Sequence, residues 1–96
     1  MKPTIGRIVH YKLSEHDARE INTRRNVRTE AGFRHHVGNH AEAGQVYPAQ
    51  IVRVFDPDGE TGTCNLQVSL DGNDTHWATS RKTGDDEGAW TWPPRI

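Results

Sequence analysis

The sequence predicts a mainly β protein, a small and strongly bent five-stranded barrel or roll with one inserted helix. Three observations lead to this fold class. Short β-branched and aromatic segments are separated by turn-forming residues, several of them alternate apolar and polar side chains, and one stretch carries a helix-capping signature. The 96 residues are expected to form a single domain, 1–96, in which the helix and a histidine-rich loop (14–45) separate the first two strands.

The first strand is predicted at residues 5–11. Period-two alternation places Val9 and Tyr11 on one face and Ile8 and His10 on the other. Because His10 alternates with apolar neighbours, its default interpretation is a partly buried histidine with satisfied hydrogen bonds. The functional alternative is a hydrogen bond to a ligand beside Tyr11.

A helix is predicted over about residues 15–30. Ser14 and Asp17 match a capping box at its start, and Gly32 is well placed to end it. Its apolar side is weak, since Ala18 and Ile21 share a face that Val27 does not continue, and the rest is cationic. We therefore expect shallow packing on which the barrel does not depend, with the helix acting either as a solvated arm or as a basic lid over a ligand.

Residues 31–45 are predicted to form a loop. His36 and His40 stand four residues apart, a spacing that suits zinc on a helix, but Gly38 lies between them and no Cys or clear acidic third ligand is near. The acidic cluster at 85–87 is flanked by glycines and is interpreted as a solvated turn. We expect neither a metal nor any other cofactor.

The second strand is predicted at residues 46–55, with Pro48 near its start because proline cannot donate to a ladder. A turn-rich loop follows at 56–62. The last strand is predicted at 89–94, where it is stopped by prolines.

A β-hairpin at residues 64–80 is the strongest local prediction. The apolar face of its first strand consists of Cys64, Leu66, Val68 and Leu70. The sequence at 71–74 tolerates positive φ and reverses the chain. In the second strand, alternation opposes Trp77 and Thr79 to His76, Ala78 and Ser80.

Composition and charge restrict the function classes. Hydrophobic residues make up only 32% of the chain, so its own core is thin and we expect a homo-oligomer.

The net charge of −1 makes nucleic acid an unlikely general partner, although residues 1–50 carry +3 and residues 51–96 carry −4. The single Cys64 excludes a disulfide framework. No apolar run suits a membrane span or a signal peptide, so we expect a cytoplasmic protein with no membrane partner.

The sequence contains no phosphate-binding glycine loop, nucleophile elbow or His-Glu-x-x-His motif, and we expect no enzymatic activity. What remains suits the binding of a planar anion. The aromatic side chains that could stack on a base are Tyr11, Trp77, Trp90 and Trp92. The polar side chains that could bind base edges or sugars are Asn73, Asp74, Thr79 and Ser80. The cations that could bind phosphates are Arg24, Arg25, Arg28 and Arg53, with Arg81 and Lys82 as further candidates. The alternative is that the tryptophans simply form the core.

The overall pattern resembles a widespread family of small phage and prophage proteins. The resemblance rests on Ile5-Gly-Arg-Ile-Val-His-Tyr11, Tyr47-Pro-Ala-Gln-Ile-Val-Arg-Val54, Asn65-Leu-Gln-Val68, Leu70-Asp-Gly-Asn-Asp74, Trp77-Ala-Thr-Ser80 and Trp90-Thr-Trp-Pro93. The Trp-x-x-Ser strand, the closing tryptophan and the small size are also similar to phage sponge proteins of the anti-CBASS type. The basic helix lies outside the resemblance.

The resemblance implies an immune-evasion protein in the cytoplasm of the bacterial host. Such a sponge binds cyclic di- or oligonucleotide signals between subunits without cleaving them. By position in the motifs, its pocket would contain His10, Tyr11, Asn73, Asp74, Trp77, Thr79 and Ser80, closed by Trp90 or Trp92. Two alternatives remain open: a small β-barrel that binds nucleic acid, and a virion or protein-interaction accessory module.

Overall fold

The computed structural model describes residues 1–57 and 60–95. Within them the chain forms one helix and five strands: β1 (Ile8–Lys12), α1 (Glu15–Arg25), β2 (Val46–Val54), β3 (Cys64–Ser69), β4 (Thr75–Arg81) and β5 (Trp90–Thr91). The strands pair antiparallel in the order β4-β3-β2-β1-β5. The predicted class, mainly β with one helix between the first two strands, is confirmed.

The sheet is bent but does not close into a barrel. Beyond β4 the chain forms a single parallel bridge between Thr83 and Trp90. The Trp90 amide donates to the Lys82 carbonyl at 3.1 Å, and the Gly84 amide donates to the Trp90 carbonyl at 3.0 Å. These bonds bring the extension of β4 next to β5, so the predicted barrel or roll is a sheet curled back toward its own opposite edge.

The inner, concave face of the sheet forms the core. The four apolar positions predicted for the first hairpin strand are buried there, as are Tyr11, Ile51 and Trp90. Helix α1 covers this face near β4. The opposite, outer face is open to solvent.

The helix is shorter and more deeply packed than predicted. Its capping box is confirmed, since Ser14 Oγ accepts from the Asp17 amide and Asp17 accepts in turn from the Ser14 amide. The predicted end near residue 30 was wrong, because Asn26 caps the helix directly after Arg25. Gly32 instead belongs to a separate turn. Shallow packing was also wrong, because the buried helix residues are Asp17, Ala18, Ile21 and Arg25.

Several predicted strand limits also change. The first strand begins at residue 8 rather than 5, since Gly6 has φ +94 and turns the chain before it. The last strand is limited to Trp90–Thr91, and the second ends at Val54. Positions 58 and 59 of the predicted 56–62 loop lie outside the described residues.

A β-bulge in β4 overturns the predicted facing of Ser80. His76 and Ala78 are buried as one face, but Ser80 is exposed. The bulge follows from the register, since Leu66 pairs with Ala78 whereas Cys64 pairs with Arg81. The extra residue carries φ +56 at Ser80 and turns the next side chain, Arg81, toward the interior.

Asn65 holds this bulge in place. Its side-chain oxygen accepts from the Ser80 amide at 2.7 Å and from Thr79 Oγ at 2.9 Å. The amide that loses its ladder partner at the bulge is thereby satisfied.

No helix of the described residues is long and apolar enough to cross a membrane.

Candidate functional site: the outer face of the sheet

The sheet divides the predicted ligand-binding residues into two sets. His10, Trp77 and Thr79 lie on the outer face by alternation, and the bulge leaves Ser80 exposed beside them. Arg53 joins this face because it pairs with Asn65, whose strand neighbours point inward. The other predicted residues lie inside the fold, at the hairpin turn or on the helix side.

One row of side chains crosses the outer face through four strands. The paired residues are, in order, Ile8, Gln50, Gln67 and Trp77. Trp77 is 56% exposed and Ile8 is 52% exposed. The row therefore has an aromatic side chain at one end, an aliphatic side chain at the other, and two glutamines between them. Directly paired residues share a face of the sheet, and this row is a continuous surface with stacking and hydrogen-bonding groups.

A cavity of about 220 Å³ opens at the β1–β5 edge of the same face. Its lining includes His10, Lys12 and Thr91, together with part of the loop after β4. Lys12 Nζ donates to the Asp85 carbonyl at 2.7 Å, which holds the ammonium group at the rim. Asp85 also lines the cavity, which therefore combines an imidazole, an ammonium group and a hydroxyl with one acidic residue.

The strands of the sheet contain no acidic residue, although the whole chain has 13 Asp and Glu against 12 Lys and Arg. The cations on the outer face are Lys12 and Arg53, and the Arg53 guanidinium lies 4.9 Å from the centre of the Phe55 ring. An anionic ligand on this face meets positive charge and no carboxylate within the strands.

Tyr11 is part of the core rather than a free stacking face. It is fully buried, and its hydroxyl donates to Asp17 Oδ2 at 2.5 Å. Burial and this hydrogen bond raise the pKa of Tyr11 well above its ordinary value. Within this chain a ligand cannot reach the ring, so the predicted stacking role of Tyr11 does not fit the fold.

Asp17 is the centre of this buried polar cluster. His76 Nε2 lies 2.9 Å from Asp17 Oδ1, and an Arg81 guanidinium nitrogen lies 3.3 Å from the same oxygen. Burial alone would raise the pKa of Asp17, but hydrogen bonds from His76, the Ser14 backbone and Tyr11 outweigh it and hold the pKa well below its ordinary value. The carboxylate therefore stays ionised inside the fold.

Arg25 and Asp74 bind each other instead of a ligand. Arg25 Nε and Nη2 donate to the two carboxylate oxygens of Asp74 at 3.0 and 2.9 Å, and Arg25 also donates to the Asn39 carbonyl. The hydrogen bond from Arg25, against the effect of burial, lowers the pKa of Asp74. Both side chains are more than nine-tenths buried, which leaves neither for the predicted phosphate or ligand contact.

Asn73 is also occupied within the chain. Its side-chain oxygen accepts from the Val37 amide at 2.8 Å, and its amide group donates to the His35 carbonyl at 3.2 Å. The hairpin turn therefore binds the histidine-rich loop and does not form the rim of an open pocket.

The two C-terminal tryptophans differ in exposure. Trp90 is fully buried and its indole N–H donates to the Gly62 carbonyl at 2.9 Å, so it is a core residue. Trp92 is partly exposed and stands perpendicular to Trp90 with the ring centres 5.2 Å apart. Arg7 lies 5.9 Å from the Trp92 ring. Of the two, only Trp92 retains an accessible edge.

Arg24 and Arg28 lie on the helix side of the sheet and are not brought to Trp77. Arg24 Nη2 is 3.4 Å from both the Thr75 carbonyl and His76 Nδ1. Arg28 donates to the Gly32 carbonyl at 3.2 Å. A lid formed by these arginines over the outer face is not supported by their position.

Gln50, Gln67 and Ile8 complete the outer face and were missed as site residues. The signal for them was the alternation within each strand, which marks the outward positions. Their alignment with Trp77 depends on the register between strands, which pairs Ile8 with Gln50, Gln50 with Gln67 and Gln67 with Trp77 and is not visible in any single strand.

No known protein family, curated protein or solved structure gives a significant match to this chain. Across residues 1–57 and 60–95, no three side chains of His, Cys, Asp or Glu stand close enough together to hold a metal ion. The candidate site therefore rests on the geometry of the chain itself.

Proposed function

We propose that this protein is a phage anti-defence protein that captures cyclic di- or oligonucleotide immune signals without cleaving them. It acts in the cytoplasm of the bacterial host, and the outer face of the sheet binds the ligand. The observation that carries the proposal is the exposed Trp77 at the end of a glutamine row, on a sheet whose strands contain no acidic residue.

Trp77 supplies the stacking surface for a base. Stacking on an aromatic side chain is worth about 1–3 kcal/mol per base in proteins that bind single strands. Gln67 lies directly opposite Trp77 and Gln50 lies next in the row. Each glutamine amide offers both donors and an acceptor, which suits the edge of a stacked base.

The phosphates of the ligand meet the cations of the same face. Arg53, three residues along β2 from Gln50, makes charge-assisted hydrogen bonds to a phosphate oxygen of the ligand. Because the strands carry no carboxylate, the doubly charged backbone of a cyclic dinucleotide meets no repulsion from them.

A second subunit supports enclosure of the ligand. The outer face also has an apolar component. In the part of the chain that the structure describes, it consists of three side chains that are each more than one-third exposed, those of Ile8, Val46 and Val52. Two outer faces in a homo-oligomer would cover these side chains and sandwich a flat ligand between them.

Isothermal titration calorimetry with a panel of cyclic dinucleotides tests the proposal. We expect at least one to bind with micromolar or tighter affinity, and we expect Trp77→Ala to weaken it about 5- to 150-fold, the equivalent of one lost stack. Ile5→Ala is the control, since Ile5 is 73% exposed but lies before β1 and outside the outer face. Absence of binding across the panel would reject the proposal.

Recovery of the ligand separates capture from hydrolysis. The complex is incubated, denatured and analysed by liquid chromatography with mass spectrometry. Quantitative return of the intact cyclic molecule is the expected result. A linear or mononucleotide product in amounts exceeding the protein would contradict capture.

A protein-interaction module is the second candidate, and the exposed apolar side chains on the outer face favour it. In that case the face is covered permanently by another protein or another subunit. The calorimetric titration would then show no binding, while Trp77→Ala would change the molecular mass measured by sedimentation.

A further inference from the structure

A strongly basic surface lies on the helix side of the fold. Between residues 19 and 40 the chain carries five arginines and three histidines against two glutamates. Arg25 is buried, but the remaining members are at least partly exposed and define what we name the arginine surface: Arg19, Arg24, Arg28, Arg34, His35, His36 and His40. It shares no residue with the outer face.

The charges of the arginine surface are poorly compensated by the protein. Among residues 1–57 and 60–95, the arginines that form an ion pair with a carboxylate are Arg25 and Arg81. Arg19, Arg28 and Arg34 form none with the described acids. Such a cluster keeps a positive field that attracts anions.

Two of these arginines are held directly opposite each other. Arg28 and Arg34 are the partners of an antiparallel bridge, closed by a tight turn in which the Thr29 amide donates to the Phe33 carbonyl at 2.7 Å. Like charges in directly opposed positions destabilise a strand pair. An anion bound between the two guanidinium groups would convert this repulsion into a favourable arrangement.

The same turn exposes an aromatic ring. Phe33 is 72% exposed and Val27 is 59% exposed. A cavity of about 190 Å³ nearby is lined by Arg24, Val27, His35 and His36. Cations, an exposed phenyl ring and a small apolar recess therefore occur together within one turn and its flanks.

We propose that the arginine surface binds single-stranded nucleic acid. Arg28 and Arg34 hold the phosphates, and a base stacks on Phe33. A single strand is favoured over a duplex because an exposed ring at the tip of a turn offers a stacking face only to an unpaired base. This site is independent of cyclic-nucleotide capture, since the residues that bind in the two cases are different.

Fluorescence anisotropy with a labelled 20-nucleotide oligothymidylate, titrated at several salt concentrations, tests the proposal. Each phosphate contact contributes about −0.7 to the slope of log K against log salt for a single strand. The double variant Arg28→Ala/Arg34→Ala is expected to bind more weakly and to lose about 1.4 from the magnitude of that slope. Phe33→Ala is expected to weaken binding about 5- to 150-fold with the slope unchanged.

The controls separate a site from general electrostatics. Lys82→Ala/Arg95→Ala removes the same charge from exposed positions elsewhere and is expected to retain the wild-type slope, and Trp77→Ala is expected to bind the oligonucleotide normally. No binding at low salt overturns the proposal. So does equal weakening by both double variants, or equally effective competition by polyglutamate, which would indicate an acidic protein partner.

Discussion

At the scale of single residues, Asp17 is the most consequential side chain. It caps the helix through Ser14 and also accepts hydrogen bonds from Tyr11 and His76 in the core. Asp17→Asn removes the charge that faces His76 and Arg81. Loss of one partner from a buried ionic cluster costs about 3–5 kcal/mol, and we expect a fall of this size in the free energy of unfolding at pH 7. Urea denaturation measures it.

The pH dependence of stability follows from the same carboxylate. Because the pKa of Asp17 is lower in the folded protein than in the unfolded chain, its contribution is fully present above about pH 5, one unit above the ordinary pKa of Asp, and is lost progressively as the pH falls toward the lower pKa of the folded state. The stability difference between wild type and Asp17→Asn should therefore shrink between pH 5 and pH 2. A difference that stays constant over this interval would contradict the assignment.

The sequence predicts only half of this residue's role. The capping box depends on residues three apart and is visible as a motif. Tyr11, His76 and Arg81 lie 6, 59 and 64 residues from Asp17, and nothing local indicates that they converge on it. The same reason explains why Tyr11 and Asp74 were predicted as ligand-binding residues, since each looks available until its buried partner is known.

At the scale of elements, the loop after the helix is locked to the hairpin turn by two glycines. A Cβ on Gly38 would lie 2.5 Å from an Arg25 nitrogen and 2.5 Å from the Asp71 carbonyl oxygen. A Cβ on Gly72 would lie 2.5 Å from the Val37 carbonyl oxygen. The two backbones can approach this closely only because neither residue has a side chain.

Gly38→Ala and Gly72→Ala are therefore expected to open this contact, at a cost of about 1–3 kcal/mol in unfolding free energy, the usual penalty of overpacking. Hydrogen exchange reports the opening of this contact directly, because two amides donate across it: that of Asn39 to the Asp71 carbonyl, and that of Asn73 to the Val37 carbonyl. Both amides should exchange faster in the variants. Gly32→Ala adds backbone strain at φ +87 but no close contact, since a Cβ there meets open space, and it should leave both amides protected.

Elements were predicted better than their ends and contacts. The hairpin strands and the helix start follow from alternation and capping, which are local properties. The helix end was misplaced because Gly32 offers the stronger local end signal, whereas Asn26 caps the helix directly after Arg25. The bulge at Ser80 was not predicted, since it depends on Asn65 in the neighbouring strand.

At the scale of the whole molecule, the sheet separates two functions of its side chains. The inner face and the helix hold the core and the buried charges, while the outer face retains Trp77 and the glutamine row. The sequence predicted aromatic and polar groups suited to a nucleotide, but it mixed the two faces. The division became clear only with the strand order and register, which place Trp77 outside and Trp90 inside.

The central claim is that the outer face of the sheet binds the nucleotide, and nuclear magnetic resonance tests it most directly. Titration of isotopically labelled protein with a cyclic dinucleotide should shift the Trp77 indole signal and the amides of Gln50, Gln67 and Thr79. The Trp90 indole, which donates to the Gly62 carbonyl inside the core, should stay unchanged. Perturbations confined to the helix and the loop after it, or no perturbation of Trp77 at saturation, would contradict the claim.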